Sequence, residues 1–206
     1  MLAYIDRSAY SSRPMATRDS LLDVTARLYA EHGWRGTTTR RIAEAAGVNE
    51  VTIFRRFGSK EALLLESIAA ASRDSNVQPL PDMPTDLGAE LCAWARAHHT
   101  LITEKRGIIR ASLAEWEERP GLAPVACQSA MGAFADVVRY LRAARERQMI
   151  GPEGSIEAAS IMLLNTLFLD AMLRDVMPKA HPHSVDESLE MFVDLTLRSL
   201  AVREER

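Results

Sequence analysis

Apolar positions recur at helical spacing along almost the whole chain, and the breaks between runs divide it into about nine helices. The first is expected over residues 17–32, with Leu21, Thr25 and Leu28 as its buried stripe and Leu22, Val24 and Tyr29 beside them. Thr17, Asp19 and Ser20 supply capping chemistry at its start, and Gly33 stops it. Two short helices follow. Ile42, Ala43 and Ala46 give the earlier one a face of small residues, and Gly47 ends it through a left-handed turn. Val48 tucks inward, and Asn49 caps a helix over residues 49–57 that buries Ile53 and Phe57. A fourth helix, from Ser59 to about Asp74, carries Leu63, Leu64, Leu65 and Ile68.

The stretch QPLPDMPTD, residues 78–86, has three prolines and reads as a linker. Helices are then expected over residues 86–103, 106–119, 124–149, 152–176 and 184–202, with Pro120-Gly121 and Gly151-Pro152 as breaks. The last two are apolar on more than one face, through Ile156, Ile161, Met162, Leu164, Phe168, Leu169 and Met172, then Leu189, Phe192, Val193, Leu197 and Leu200. The fold class is all-α.

Residues 37–60, TTTRRIAEAAGVNEVTIFRRFGSK, hold the chemistry. The second of their helices shows Glu50, Val51, Thr52, Arg55 and Arg56 on its outer side. A helix, a glycine turn and a second helix with a polar, basic face is the helix-turn-helix arrangement, whose second helix enters the major groove. An ordinary αα-corner with a solvated basic face is the plainer alternative; the spacing, the cap and the basic flank favour DNA binding. Charge agrees. Residues 1–60 carry ten Lys+Arg against six Asp+Glu, whereas the remainder carries fifteen against twenty-two.

These residues resemble the tetracycline-repressor (TetR) family of transcriptional regulators. The likeness spans Leu21 to about Ser67 and lies in Gly33-Trp34, the run from Thr37 to Arg41, Ile42-Ala43, Ala46-Gly47-Val48, Thr52-Ile53-Phe54, Phe57 and Ser59-Lys60-Glu61. It implies a flexible arm over residues 1–16, a three-helix DNA-binding domain over 17–60, and a helical ligand-binding and dimerisation domain over 61–206. Thr38 and Thr39 would contact phosphate, Arg40 phosphate or a guanine edge, and Lys60 phosphate. Glu50, Val51 and Thr52 would face the bases, with Asn49, Arg55 and Arg56 beside them on the DNA-binding side; Glu50 suits a cytosine amine and Val51 a thymine methyl. The family usually has Tyr where this chain has Phe54, so Phe54 is assigned apolar backing.

The resemblance further implies a homodimer, joined by the last two helices through Leu169, Met172, Leu189, Phe192 and Leu197. It implies an internal pocket as well. Trp94, His98, Trp116, Met131, Phe134, Met162, Asn165 and Phe168 are its candidates, each weighed against plain core. Asn165 stands out because an amide among Leu163, Leu164 and Leu167 needs a hydrogen-bond partner.

Other features carry less. Arg7 and Arg13 suit a minor-groove arm, against a disordered tail or an over-long start before Met15. Cys92 and Cys127 read as small buried residues rather than a disulfide. Cys92 and His99 share a face without a third metal ligand, and the His181-Pro182-His183 loop reads as a surface turn. Glu115, Glu117 and Glu118 read as a solvated face, as do Arg139, Arg142, Arg145 and Arg147. No nucleophile, metal or phosphate motif assembles, so neither enzyme activity nor a cofactor is expected. No apolar run is expected to reach the length of a membrane span, no signal peptide is read, and a cytoplasmic protein is expected. The sequence therefore points to a homodimeric repressor on a palindromic operator, released by a small, largely apolar ligand. The alternative is a DNA binder controlled by a protein partner or lacking a small-molecule effector.

Overall fold

The computed structural model describes residues 17–73 and 77–200. The basic arm with Arg7 and Arg13 lies outside the described residues, as do the expected helix ends near Asp74 and Val202. Among the described residues there are ten α-helices, two short 3-10 turns and no strand.

Helix α1 (Arg18–Gly36) begins where Thr17 accepts the Ser20 N–H at 3.1 Å. Gly33, at φ 64°, kinks α1 rather than ending it, and the Thr37 hydroxyl closes the last turn onto the Gly33 carbonyl at 2.7 Å. Helices α2 (Thr39–Ala46), α3 (Glu50–Phe57) and α4 (Lys60–Arg73) follow. Leu21, Leu22, Leu28, Ile42, Ala43, Ile53, Phe57 and Leu63 from all four helices make the N-terminal core. Arg18 holds this bundle shut. Its guanidinium forks onto Glu66 of α4 at 2.8 and 2.6 Å and lies 4.6 Å over the Phe57 ring.

The body consists of α5 (Leu87–Glu104), α6 (Arg106–Ala114), α7 (Ala123–Ala126), α8 (Gln128–Glu146), α9 (Ile156–Leu173) and α10 (Val185–Leu200). Two expected helices are shorter than the periodicity suggests. The 106–119 run ends at Ala114, and Arg119 turns back to lay its guanidinium 4.5 Å from the Trp34 ring. The 124–149 run is interrupted at Cys127, which splits off the single turn of α7.

The proline-rich linker is fastened rather than loose. Leu80 and Pro84 are buried, and Asp136 of α8 accepts both the Leu80 N–H and the Trp94 indole N–H at 2.9 Å. Arg139 bonds Asp82, Asp136 and the Leu80 carbonyl, while Arg145 donates to the carbonyls of Gly151, Glu153 and Gly154. These two arginines of the expected solvated face are fasteners, because the neighbouring loops lack partners for their own carbonyls.

The halves meet where α6 crosses α1. A Cβ added at Gly107 would lie 2.9 Å from the Ala30 Cβ and 3.3 Å from the Ala30 carbonyl oxygen. Tyr29, Trp34, Leu64, Ile68 and Leu122 form a separate buried cluster at this crossing. There the Tyr29 hydroxyl donates to Ser112 at 3.5 Å.

Helix α9 corrects the expectation that no apolar run is long enough to cross a membrane. By length and composition it is, with 39% of it buried inside the molecule. Its inner side belongs to the body core through Ile156, Ala159, Leu163 and Leu167. Its outer side exposes Ile161, Met162 and Leu169.

Candidate nucleic-acid interface

The turn between α2 and α3 is fixed by a glycine backbone closure followed by a side-chain cap. Gly47 sits at φ 68°, ψ 30°, and the Val48 N–H reaches back to the Ala43 carbonyl at 3.0 Å, the six-residue closure of a helix C-terminus. Asn49 accepts the Val51 N–H at 2.9 Å and starts α3. Ile53 and Phe57 are buried beneath it. Only one side of α3 is therefore left outward.

That side carries Val51, 70% exposed, Phe54, 48% exposed, and exposed Arg55, with Glu50, Thr52 and Arg56 half-buried. Phe54 does not back the helix as expected. It lies on the outer face one turn from Val51, because Ile53 and Phe57 already fill the inner positions. An exposed apolar pair on a basic helix can pack on thymine methyl groups.

The remaining candidates are engaged in ways their spacing does not reveal. Thr38 is exposed and caps α2, accepting the Arg41 N–H at 3.2 Å. Thr39 donates its hydroxyl proton to Glu50 Oε1 at 2.5 Å. Arg40 bonds Glu44 at 2.9 Å in an exposed i,i+4 pair; that hydrogen bond first, and the Glu44 charge second, raise its pKa. The Asn49 side-chain oxygen is committed to capping, which leaves its NH2 as donor.

Lys60 is the largest departure. Its ammonium donates to the Trp34 carbonyl at 2.6 Å and sits 5.9 Å from the Trp34 ring centroid. Burial, and then the Arg119 charge, lower its pKa. A cleft of about 490 Å³ lies here, lined by Trp34, Lys60, Glu61, Glu118 and Arg119. Lys60 thus points into the junction between the halves.

The pocket candidates do not converge. Trp94 is buried and Phe134 packs against the same core cluster; His98 lies on Trp94 with ring centroids 3.7 Å apart. Burial lowers the His98 pKa despite its bond to the Trp94 carbonyl. Phe168 is half-buried, but Trp116, Met131, Met162 and Asn165 are exposed. Asn165 stands on the outer side of α9, so its amide has solvent rather than a buried partner to satisfy it.

Among the interface candidates, Leu169 is exposed and Met172, Phe192 and Leu197 are half-buried. Leu189 is fully buried inside the body core and is corrected to a core residue. Met191 and Leu195 of α10, which periodicity did not single out, are exposed instead.

The histidine loop is exposed at Pro182 and His183, as a surface turn is, but His181 reaches inward. Asp170 of α9, 2% exposed, accepts from His99 at 2.9 Å, His181 at 2.9 Å, and Arg174 at 2.7 and 3.0 Å. Arg174 also bonds Ser188 and the His183 carbonyl. The nearest sequence signal is an aspartate in the strongly apolar second half of α9. Cys92 and Cys127 are free and half-buried, less enclosed than expected.

Among the described residues the fold is all-helical, and its N-terminal bundle presents a capped, outward-facing helix after a glycine turn, which is the helix-turn-helix arrangement. Residues 21–67 match the family model described as bacterial regulatory proteins, tetR family. The HTH-type transcriptional repressor AcnR of Corynebacterium efficiens is 42% identical over 57 residues, which are 28% of this chain and 30% of that protein. The matched stretch thus spans less than a third of that relative's length. The crystal structure of a TetR-family regulator from Mesorhizobium loti superposes with a TM-score of 0.76 at 18% identity, covering 90% of this chain and 96% of that one. The flavonoid-responsive regulator FrrA superposes with a TM-score of 0.64 at 26% identity, covering 88% and 93%. Over residues 21–67 the chain is similar to the tetR family of bacterial regulatory proteins, a family of transcriptional regulators.

Proposed function

We propose that the chain is a cytoplasmic, homodimeric repressor that binds a palindromic operator and is released by a small, largely apolar ligand. The observation that carries the DNA half is the outer side of α3, where Val51, Phe54 and Arg55 project from a helix whose N-terminus is capped by Asn49. Two such helices in a dimer, roughly 34 Å apart, would meet successive major grooves on one side of the duplex. Support for the dimer is the apolar outer side of α9 and α10, with Met162 and Leu195 each 64% exposed. Support for a ligand is the likeness to FrrA, whose name describes a flavonoid response. A coupling of about 1–3 kcal/mol between sites would lower operator affinity some 5- to 150-fold.

A second reading, control by a protein partner or no effector at all, is favoured by one observation: half of the pocket candidates lie on the surface.

Selection of the purified protein against random duplex DNA tests the proposal. A recovered palindrome supports the dimeric reader, and flavonoids added to that complex then test release. Binding with no consensus would replace the operator reading with charge-driven association. Met162→Lys should abolish binding to the full palindrome while leaving the helical content intact; unchanged binding would move the dimer contact off α9.

A further inference from the structure

Helices α2 and α3 are joined at their first residues. Thr39 opens α2, Glu50 opens α3, and the Thr39 hydroxyl donates to Glu50 Oε1 at 2.5 Å, with both side chains half-buried. Periodicity places these residues eleven apart on separate helices and gives no sign of the bond.

We propose that Thr39 is a positioning residue for base reading: its hydroxyl fixes the Glu50 carboxylate toward cytosine, and Thr38 is the threonine that serves phosphate. This rests on the reading of α3 as the helix that enters the groove.

A hydroxyl has one proton. While Thr39 gives it to Glu50, it has none to offer a phosphate oxygen. Thr38 is used the opposite way. It accepts the Arg41 N–H, which leaves its proton free to donate, and it is exposed where Thr39 is not. The pair therefore divides into a phosphate donor and an aligner.

Glu50 needs an aligner for two reasons. Its side chain has three rotatable torsions, and freezing them on DNA costs entropy that a bond already made in the free protein removes. A carboxylate near a duplex is also repelled by the phosphates and stays in the groove only if held toward donors. With Oε1 occupied by Thr39, Oε2 is left to accept from a base. In the major groove cytosine and adenine both offer an amine, but adenine sets its N7 acceptor beside it, and O6 and N7 of guanine and O4 of thymine are acceptors that repel a carboxylate, so cytosine fits best.

The test uses the full chain and duplexes built from the selected operator, with every base pair tried at every position. Glu50→Gln first identifies the position Glu50 reads. Thr39→Val, which keeps the shape and removes the hydroxyl, should relax cytosine preference at that same position about five- to tenfold. Thr39→Ser should restore it. Thr39→Ala should behave as Thr39→Val, and a matching thermal melt shows that neither acts by unfolding. Uniform weakening of all duplexes by Thr39→Val would overturn the proposal, leaving Thr39 as a phosphate contact. So would a preference shift at a position Glu50→Gln does not affect, or no shift with Glu50→Gln anywhere. If the unaltered chain selects no sequence, the operator reading itself fails, and this one with it.

Discussion

Asp170 draws donors from three directions, and its protonation state governs whether they stay. Burial pushes its carboxyl pKa upward, but hydrogen bonds from Arg174, His99 and His181, together with the Arg174 charge, outweigh burial and bring it below the ordinary carboxylate value. A carboxyl whose folded pKa is depressed contributes stability fully above its unfolded pKa, near 4, and loses it as pH falls through the lower folded value. The chain should therefore unfold at lower urea below about pH 4. Asp170→Asn should cost about 3 kcal/mol at neutral pH, because Arg174 is left without its counter-charge, and should flatten that acid dependence. A variant as stable as the parent at neutral pH would show that His183 and Ser188 hold Arg174 by themselves. At α3, Asn49→Ala should cost about 1 kcal/mol and weaken DNA binding, since the α3 N-terminus loses its side-chain acceptor. Thermal unfolding and operator titration check the two halves of that expectation.

Helix boundaries were legible wherever a cap or a glycine carried them. Thr17, Gly47 and Asn49 each occupy the expected role, because capping depends on chemistry within a few residues. Orientation was legible for α3, where Ile53 and Phe57 face charged neighbours across one helix. It was not legible for α9. Apolar residues surround that helix, so periodicity could not say which side meets the core, and Asn165 and Met162 were assigned inward. Bonds between elements were invisible for a different reason. Arg119 over Trp34, Lys60 on the Trp34 carbonyl and Thr39 on Glu50 depend on how helices cross, which no local pattern encodes. Gly47→Ala tests the element that was read best. A side chain at φ 68° should cost about 1 kcal/mol or more by denaturant unfolding. An unchanged midpoint would mean the turn relaxes to another conformation.

Across the whole molecule, the reading head meets the body along α4 and, most closely, at the crossing of α1 and α6. Gly107 lets α6 come within contact of Ala30 on α1, and Tyr29, Trp34, Lys60 and Arg119 gather around it. Gly107→Ala should force the helices apart at a cost of about 1–3 kcal/mol, with DNA affinity changing as α1 tilts. The double variant with Ala30→Gly should recover both stability and affinity; failure to recover either would place the cost in α6 itself. The same close fit bears on how such proteins diversify. A body transplanted from a distant relative brings its own residue opposite Ala30, and a side chain there has no room. Hybrids that graft this head onto another body should work only when α1 and α6 travel together, as a matched helix pair and not as freely exchanged modules.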